Sequence, residues 1–154
     1  MKNMETPAIA PIQPLDFEMV AAFLAGAGLP ANDLPEGLPH FFKAEIRDEL
    51  VGTVGLEVYG RFALLRSLAV AEKFRNRQTG KKLYNAAVSH ALENGVGELF
   101  LITTTADRYF AKFGFVIIGR ETAPPEIRQT AQFRDICPSS ATVMRLVLQA
   151  RETG

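Results

Sequence analysis

Hydrophobic and polar residues follow two periods along this chain, and these periods predict its elements. Between residues 42 and 46, apolar side chains alternate with charged ones, which predicts a strand with one face in water. Residues 62–70 are apolar almost throughout, which predicts a central strand covered on both faces. Apolar residues recur at helical spacing after Asp16, a good N-cap residue, and again along 80–94. The pattern and its turn residues predict strands at 8–14, 42–46, 50–59, 62–70, 99–104, 115–118 and 142–148, with helices at 16–25, 80–94, 106–113 and 125–136.

Composition narrows the class of protein. The 154 residues are 47% hydrophobic and 22% charged, without a repeat or linker, which predicts one globular domain over 1–154. Lys and Arg together number 17, as do Asp and Glu, so the basic excess typical of nucleic-acid binding is missing. The single cysteine, Cys137, excludes an intrachain disulfide. With no run of about 18 apolar residues and no signal peptide, we expect a cytoplasmic protein without a membrane partner, either a monomer or a homodimer.

The segment with the clearest chemistry is the polar loop that follows the buried strand 62–70. It opens the helix predicted at 80–94, and the free N–H groups of a helix N-terminus attract phosphate. Arg75, Arg77 and Lys81 add positive charge there, and Gly80 lets the backbone approach a ligand. These residues predict an anion site, best suited to a pyrophosphate. The alternative is a solvated basic loop that only caps a helix.

Two motifs in this order resemble a known family. Residues 75–80, Arg-Asn-Arg-Gln-Thr-Gly, resemble the pyrophosphate loop Q/R-x-x-G-x-G/A of the GNAT superfamily of N-acetyltransferases. Residues 106–115 are similar to its A-x-x-(L/F)-Y-x-x-x-G-F segment. The resemblance implies an α/β (α+β) acyl-CoA N-acyltransferase fold, with a mixed central sheet of about seven strands flanked by helices. It also implies transfer of an acetyl group from acetyl-CoA to an amine.

A narrower resemblance concerns residues 127–133 and 137–141. They look like the arsenic-resistance N-acetyltransferases encoded in arsenic operons, which implies a small amine acceptor, such as an arsenic-containing or phosphinic amino-acid toxin. Two alternatives stay open. One is a protein or amino-acid N-acetyltransferase unrelated to arsenic, and the other is a non-catalytic module that binds acyl-CoA.

The resemblance also assigns residues to the acetyl-CoA. The pantetheine arm would pair with the backbone of Leu68 and Val70 like an added strand. Gln78 stands where the family has a glycine, and its Cβ narrows the approach to the phosphates. The residues implied for acetyl-CoA binding are Leu68, Ala69, Val70, Arg75, Asn76, Arg77, Gln78, Thr79, Gly80, Lys81, Thr105 and Phe110.

Candidate catalytic residues come next. Phe110 stands where the family has its general-acid tyrosine, and the adjacent Tyr109 points about 100° away on a helix. Either Tyr109 or water therefore protonates the leaving thiolate, and water is favoured. Glu57 is a candidate base, the alternative being a solvated strand carboxylate.

Three residues are candidates for contact with the acceptor. Arg66, in a buried strand, needs a carboxylate, a substrate anion or exposure at the strand end. Thr103 ends a buried strand, and Arg128 precedes the last one; each is a candidate acceptor contact. His40 and His90 lie far apart in sequence with no cluster of ligands nearby, so we predict no metal site.

Overall fold

The computed structural model describes residues 6–75, 78–136 and 140–148. Its strands are β1 (Ala8–Pro11), β2 (Phe41–Ile46), β3 (Glu49–Tyr59), β4 (Phe62–Val70), β5 (Glu98–Thr103), β6 (Val116–Ile118) and β7 (Thr142–Val147). Its α-helices are α1 (Phe17–Gly26), α2 (Thr79–Glu93), α3 (Asp107–Ala111) and α4 (Pro125–Arg128). The strands form one seven-stranded mixed sheet in the order β1-β2-β3-β4-β5-β7-β6. The predicted order of elements is confirmed, with ends that shift by a few residues.

The helix predicted over 125–136 is wrong as a single element. It is divided into α4 and a π-helical turn, Gln132–Ile136. Thr130 explains the break, because both its backbone N–H and its hydroxyl bond to the carbonyl of Ile127, at 3.1 and 2.8 Å. A threonine side chain that competes for a helix carbonyl interrupts the regular ladder. Apolar spacing does not reveal such a local bond.

Asp16 stands at the N-cap position of α1, as predicted, but its side chain does not cap the helix. The carboxylate instead accepts the backbone N–H of Gln13 and the ammonium group of Lys43, both at 2.9 Å. Both bonds favour the ionised carboxylate and so hold the pKa of Asp16 below its ordinary value; the bond from Gln13 has the larger effect. Asp16 therefore joins the residues before α1 to strand β2.

Two compact units divide the chain. The first comprises residues 1–56 and 67–90, and the second comprises residues 57–66 and 91–154. In the first, α1 packs on the sheet over a core of Ile12, Val20, Leu24, Leu38, Phe41 and Leu50. In the second, β5 pairs with β7 along its whole length, and β6 pairs with β7 at the sheet edge. The core of this unit contains Leu64, Phe100, Ala123, Ile127, Phe133 and Val143.

A glycine in β3 packs directly against a buried aromatic ring. A Cβ added to Gly55 would clash with the ring of Phe41, which is 1% exposed. We expect Gly55→Ala to lower the free energy of unfolding by about 1–3 kcal/mol, because the buried ring has to move. Urea denaturation measures this loss. Gly26→Ala is the control, since a Cβ there meets nothing within 4 Å. Equal stability of the two variants would contradict the close packing.

Candidate functional site

The loop before α2 turns through a residue with a left-handed backbone. After a 3-10 turn, Glu72–Phe74, the chain reaches Gln78, whose φ is +66°. Its carbonyl accepts the N–H of Lys82 at 3.0 Å and so begins α2. A non-glycine residue in this conformation costs about 1–2 kcal/mol, yet the chain adopts it. Two residues predicted to bind acetyl-CoA, Asn76 and Arg77, lie outside the described residues.

The first residue of α2 carries an unsatisfied polar atom. The hydroxyl of Thr79 is buried, with the residue 1% exposed, and it has no hydrogen-bond partner within the described part of the chain. Such a group costs about 1–3 kcal/mol. It sits in the first turn of a helix, where backbone N–H groups are open to an anion. Gly80 follows it, and the side chain of Lys81 is exposed. This set of residues fits a phosphate group.

Strand β4 leads into this loop through a distorted residue. Ser67 has φ +61° although it lies inside the strand and is 9% exposed. Such a conformation costs about 1–3 kcal/mol at a non-glycine residue. The next three residues, 68–70, are half-buried. At the strand end, Nε of Arg75 donates to the carbonyl of Val70 at 3.0 Å. Arg75 therefore fixes the strand end, and one lone pair of the Val70 carbonyl is already used.

The second unit brings two predicted residues together. The guanidinium Nη1 of Arg66 lies 2.6 Å from Oε2 of Glu57. The Arg66 side chain is fully buried, and that of Glu57 is 12% exposed. Of the partners considered for Arg66, the structure supplies the carboxylate. The alternative of a solvated Glu57 does not fit these contacts.

Sequence reasoning missed Tyr59, whose hydroxyl donates to Oε1 of Glu57 at 2.5 Å. Residues two apart on a strand share a face, so its position after Glu57 was the available signal. Both carboxylate oxygens of Glu57 are therefore fixed, one by a cation and one by a phenol. Glu57, Tyr59 and Arg66 form one connected polar cluster in this unit, called the carboxylate cluster below.

Other predicted residues lie around α3. The Thr103 hydroxyl oxygen accepts the N–H of Ala106 at 2.8 Å and that of Thr105 at 3.3 Å, so it supports the turn into α3. Phe110 is 8% exposed and packs edge-on against the ring of Tyr109. Tyr109 itself is 37% exposed, and burial raises the pKa of its phenol above its ordinary value. Its hydroxyl therefore stays protonated at neutral pH.

Two arginines of the segment after β6 donate to backbone carbonyls. Nε of Arg128 donates to the carbonyl of Ala123 at 2.8 Å, and the side chain is otherwise exposed. Arg120 donates to the carbonyl of Phe133 and stacks on its ring, 5.4 Å from the centroid. Both guanidinium groups are thus oriented before any ligand arrives.

The family follows from a sequence match over more than half of the chain. Residues 10–115 match the model of the acetyltransferase (GNAT) family. This chain belongs to that family. An uncharacterized N-acetyltransferase of Chlorobaculum tepidum is 32% identical to this GNAT protein over 97 residues, which are 62% of this chain and 62% of that protein.

Solved structures show the same fold. N-acetylglutamate synthase from Neisseria gonorrhoeae, complexed with coenzyme A and N-acetyl-glutamate, matches with a TM-score of 0.80 at 18% identity. That match covers 96% of this chain and 36% of the synthase. The ribosomal-protein-S18-alanine N-acetyltransferase from Escherichia coli matches with a TM-score of 0.64 at 14% identity, over 96% of this chain and 97% of that one. The predicted GNAT fold with a seven-stranded mixed sheet is confirmed.

The two histidines of this GNAT protein, far apart in sequence, are neighbours in the first unit. Nδ1 of His40 lies 2.8 Å from Nε2 of His90, and the ring of Phe42 meets that of His90 edge-on. The pKa of His40 is lowered, mainly because burial disfavours its charged form and to a lesser extent because of the charge on the adjacent His90. The described residues contain no group of three or more His, Cys, Asp or Glu side chains suited to a metal ion. Cys137 lies outside them.

No helix in the described ranges of this GNAT protein is both long and apolar enough to cross a membrane.

Proposed function

We propose that this protein is an N-acetyltransferase that moves the acetyl group of acetyl-CoA to the amine of a small molecule. The observation that carries the proposal is the buried hydroxyl of Thr79 in the first turn of α2, which has no hydrogen-bond partner among the described residues. It follows directly on the left-handed turn at Gln78. An orphaned donor at the N-terminus of a long helix is satisfied by a phosphate oxygen.

The first unit supplies the acetyl-CoA contacts of the proposal. The Thr79 hydroxyl and the N–H of Gly80 donate to the pyrophosphate, and Lys81 adds charge. The backbone of Leu68 and Val70 pairs with the pantetheine arm as an added strand would. Because Arg75 already bonds to the Val70 carbonyl, the N–H of Val70 is the better group for the thioester oxygen. The proposed set also includes Asn76 and Arg77, which lie outside the described residues, and two residues of the second unit, Thr105 and Phe110.

The second unit supplies the proposed chemistry. Glu57 takes a proton from the acceptor ammonium, directly or through water, and the free amine attacks the thioester carbon. As the C–S bond breaks, the attacking nitrogen gives up its second proton to water and becomes the amide nitrogen. The CoA thiolate takes a proton from water or from Tyr109, which regains its proton from water. Arg66 balances the charge of Glu57 when the carboxylate is ionised. Arg128 and Thr103 remain the proposed acceptor contacts, Arg128 through its planar fork of donors.

The proposed acceptor is an amine that also bears an anionic group. The resemblance to arsenic-resistance N-acetyltransferases suggests an arsenic-containing or phosphinic amino acid. The structural similarity to N-acetylglutamate synthase supports amino acids as a class. A protein N-terminus is the second candidate, because the alanine N-acetyltransferase of ribosomal protein S18 has the same fold. A single cysteine supports a cytoplasmic protein, which we propose as one domain, monomeric or homodimeric.

Release of free CoA tests the function. We expect the purified protein to release CoA thiol from acetyl-CoA when glutamate or a phosphinic amino acid is added, and to release less with a neutral amine of equal size. Mass spectrometry of the product should show the acetylated amine. Turnover with an alanine N-terminal peptide alone would favour the protein acceptor. Tight acetyl-CoA binding without turnover on any amine would favour the non-catalytic module.

A further inference from the structure

The distortion at Ser67 divides strand β4 into two parts. Up to Leu64, the strand pairs with β5 in parallel, through Phe62, Ala63 and Leu64. At Ser67 the backbone takes a left-handed φ of +61°, which interrupts the regular pleat of the strand. This local distortion is called the Ser67 bulge below. A serine has no intrinsic preference for this conformation, so the surrounding structure has to maintain it.

One buried side chain bonds directly to the distorted residue. The hydroxyl of Thr53, in β3, donates to the carbonyl of Ser67 at 2.8 Å. Thr53 is 0% exposed, so water cannot replace the bond. A regular φ at Ser67 would turn its carbonyl away and leave the Thr53 hydroxyl without this acceptor in an apolar interior. The hydroxyl therefore favours the bulged conformation over the regular strand.

A second hydrogen bond to β3 lies four residues after Ser67, at Ala71. The N–H of Ala71 donates to the carbonyl of Val51 at 2.8 Å. Residues 68–70 thus lie between two fixed points, the Thr53 bond at Ser67 and the Val51 bond at Ala71. The carbonyl of Ala69 also packs against β3, 3.2 Å from the point where a Cβ on Gly52 would sit. The direction of the backbone groups at 68–70 depends on both fixed points.

We infer that Thr53 is a positioning residue for acyl-CoA: its hydroxyl holds the Ser67 bulge and so aims the backbone groups of Leu68 and Val70 at the pantetheine arm. This inference rests on the proposed function, which assigns these groups to acetyl-CoA. Thr53 itself does not touch the ligand. Its effect should therefore concern the pantetheine arm and leave the phosphate loop unchanged.

Calorimetry on variants of Thr53 tests this role without any acceptor. We expect Thr53→Val, which keeps the shape and removes the hydroxyl, to raise the dissociation constant of acetyl-CoA about tenfold. Affinity for the nucleoside diphosphate half of CoA, which lacks the pantetheine arm, should stay unchanged. Thr53→Ser should restore acetyl-CoA affinity. Thr130→Val is the control, because it removes another buried threonine hydroxyl that donates to a carbonyl at 2.8 Å, in the second unit.

A second variant separates positioning from general loosening. Glycine adopts a positive φ without strain, so Ser67→Gly should make the hydroxyl of Thr53 dispensable. The double variant Ser67→Gly with Thr53→Val should then bind acetyl-CoA like Ser67→Gly alone, even if Thr53→Val by itself does not fold.

Three outcomes would overturn the inference. They are unchanged acetyl-CoA binding in Thr53→Val, an equal loss of affinity for the nucleoside diphosphate half, and additive effects in the double variant. Failure of the wild-type protein to bind acetyl-CoA would instead remove the proposed function, and the inference with it.

Discussion

Replacing Gly80 by proline is expected to abolish acetyl-CoA binding while leaving the protein folded. Gly80 is the second residue of α2, and proline is tolerated in the first turn because an N–H there has no partner within the helix. The substitution removes the N–H proposed to hold the pyrophosphate and puts ring atoms in its place. We expect the dissociation constant to rise about a hundredfold or more, as loss of a charge-assisted bond and steric exclusion act together.

The measurement is calorimetric titration with acetyl-CoA, and the melting temperature checks the fold. Gly80→Ala is the matched control, because alanine retains the N–H and adds only a methyl group. It should bind within a few-fold of the wild-type protein. Wild-type affinity in a folded Gly80→Pro variant would show that the pyrophosphate lies elsewhere. A loss of equal size in Gly80→Ala would point to lack of space instead of a lost N–H.

The sequence predicted the fold well because its signals are local. Alternation along β2 and the apolar run of β4 are periodic patterns that burial imposes on neighbouring residues. The loop before α2 was found from charge and from its place between a strand and a helix. Its backbone conformation was not, since a left-handed φ at Gln78 contradicts the preference of that residue type. The same reason hides the bulge at Ser67.

Contacts between residues distant in sequence were the second limit. The pairing of His40 with His90 and of Arg66 with Glu57 depends on which elements are adjacent. A single sequence shows that a buried arginine needs an anion, but it does not choose among the available ones. Tyr59 was missed for a related reason, because a tyrosine on a strand is common and its hydroxyl partner is a matter of side-chain geometry.

The second large effect is expected at the carboxylate cluster. Glu57→Gln keeps the size of the side chain and removes its capacity to take a proton. We expect kcat with an amine acceptor to fall by about 10²–10⁴-fold, which is the usual contribution of a general base. Acetyl-CoA affinity should not change, because Glu57 is not among the proposed acetyl-CoA contacts.

Loss of stability has to be separated from loss of chemistry, since Glu57 also balances a buried charge. The pair with Arg66 is largely excluded from water, and breaking such a pair costs about 3–5 kcal/mol, less here because the glutamine oxygen still accepts a hydrogen bond. Glu98→Gln is the matched control. Glu98 is a half-buried carboxylate of the same unit, bonded to Arg145 at 2.8 Å and lying 3.5 Å from Arg61. The Glu98→Gln variant should be less stable than the wild-type protein but should have the same kcat.

Steady-state kinetics at a temperature where all three proteins are folded decides between a base and a counter-ion. A loss of kcat confined to Glu57→Gln assigns the proton transfer to this carboxylate. If Glu57→Gln and Glu98→Gln both turn over within a few-fold of the wild-type protein, Glu57 serves only to neutralise Arg66. The proton is then taken by water or by another group. The ion pair would still have a role in the fold, because its two charges are largely excluded from water and neutralise each other.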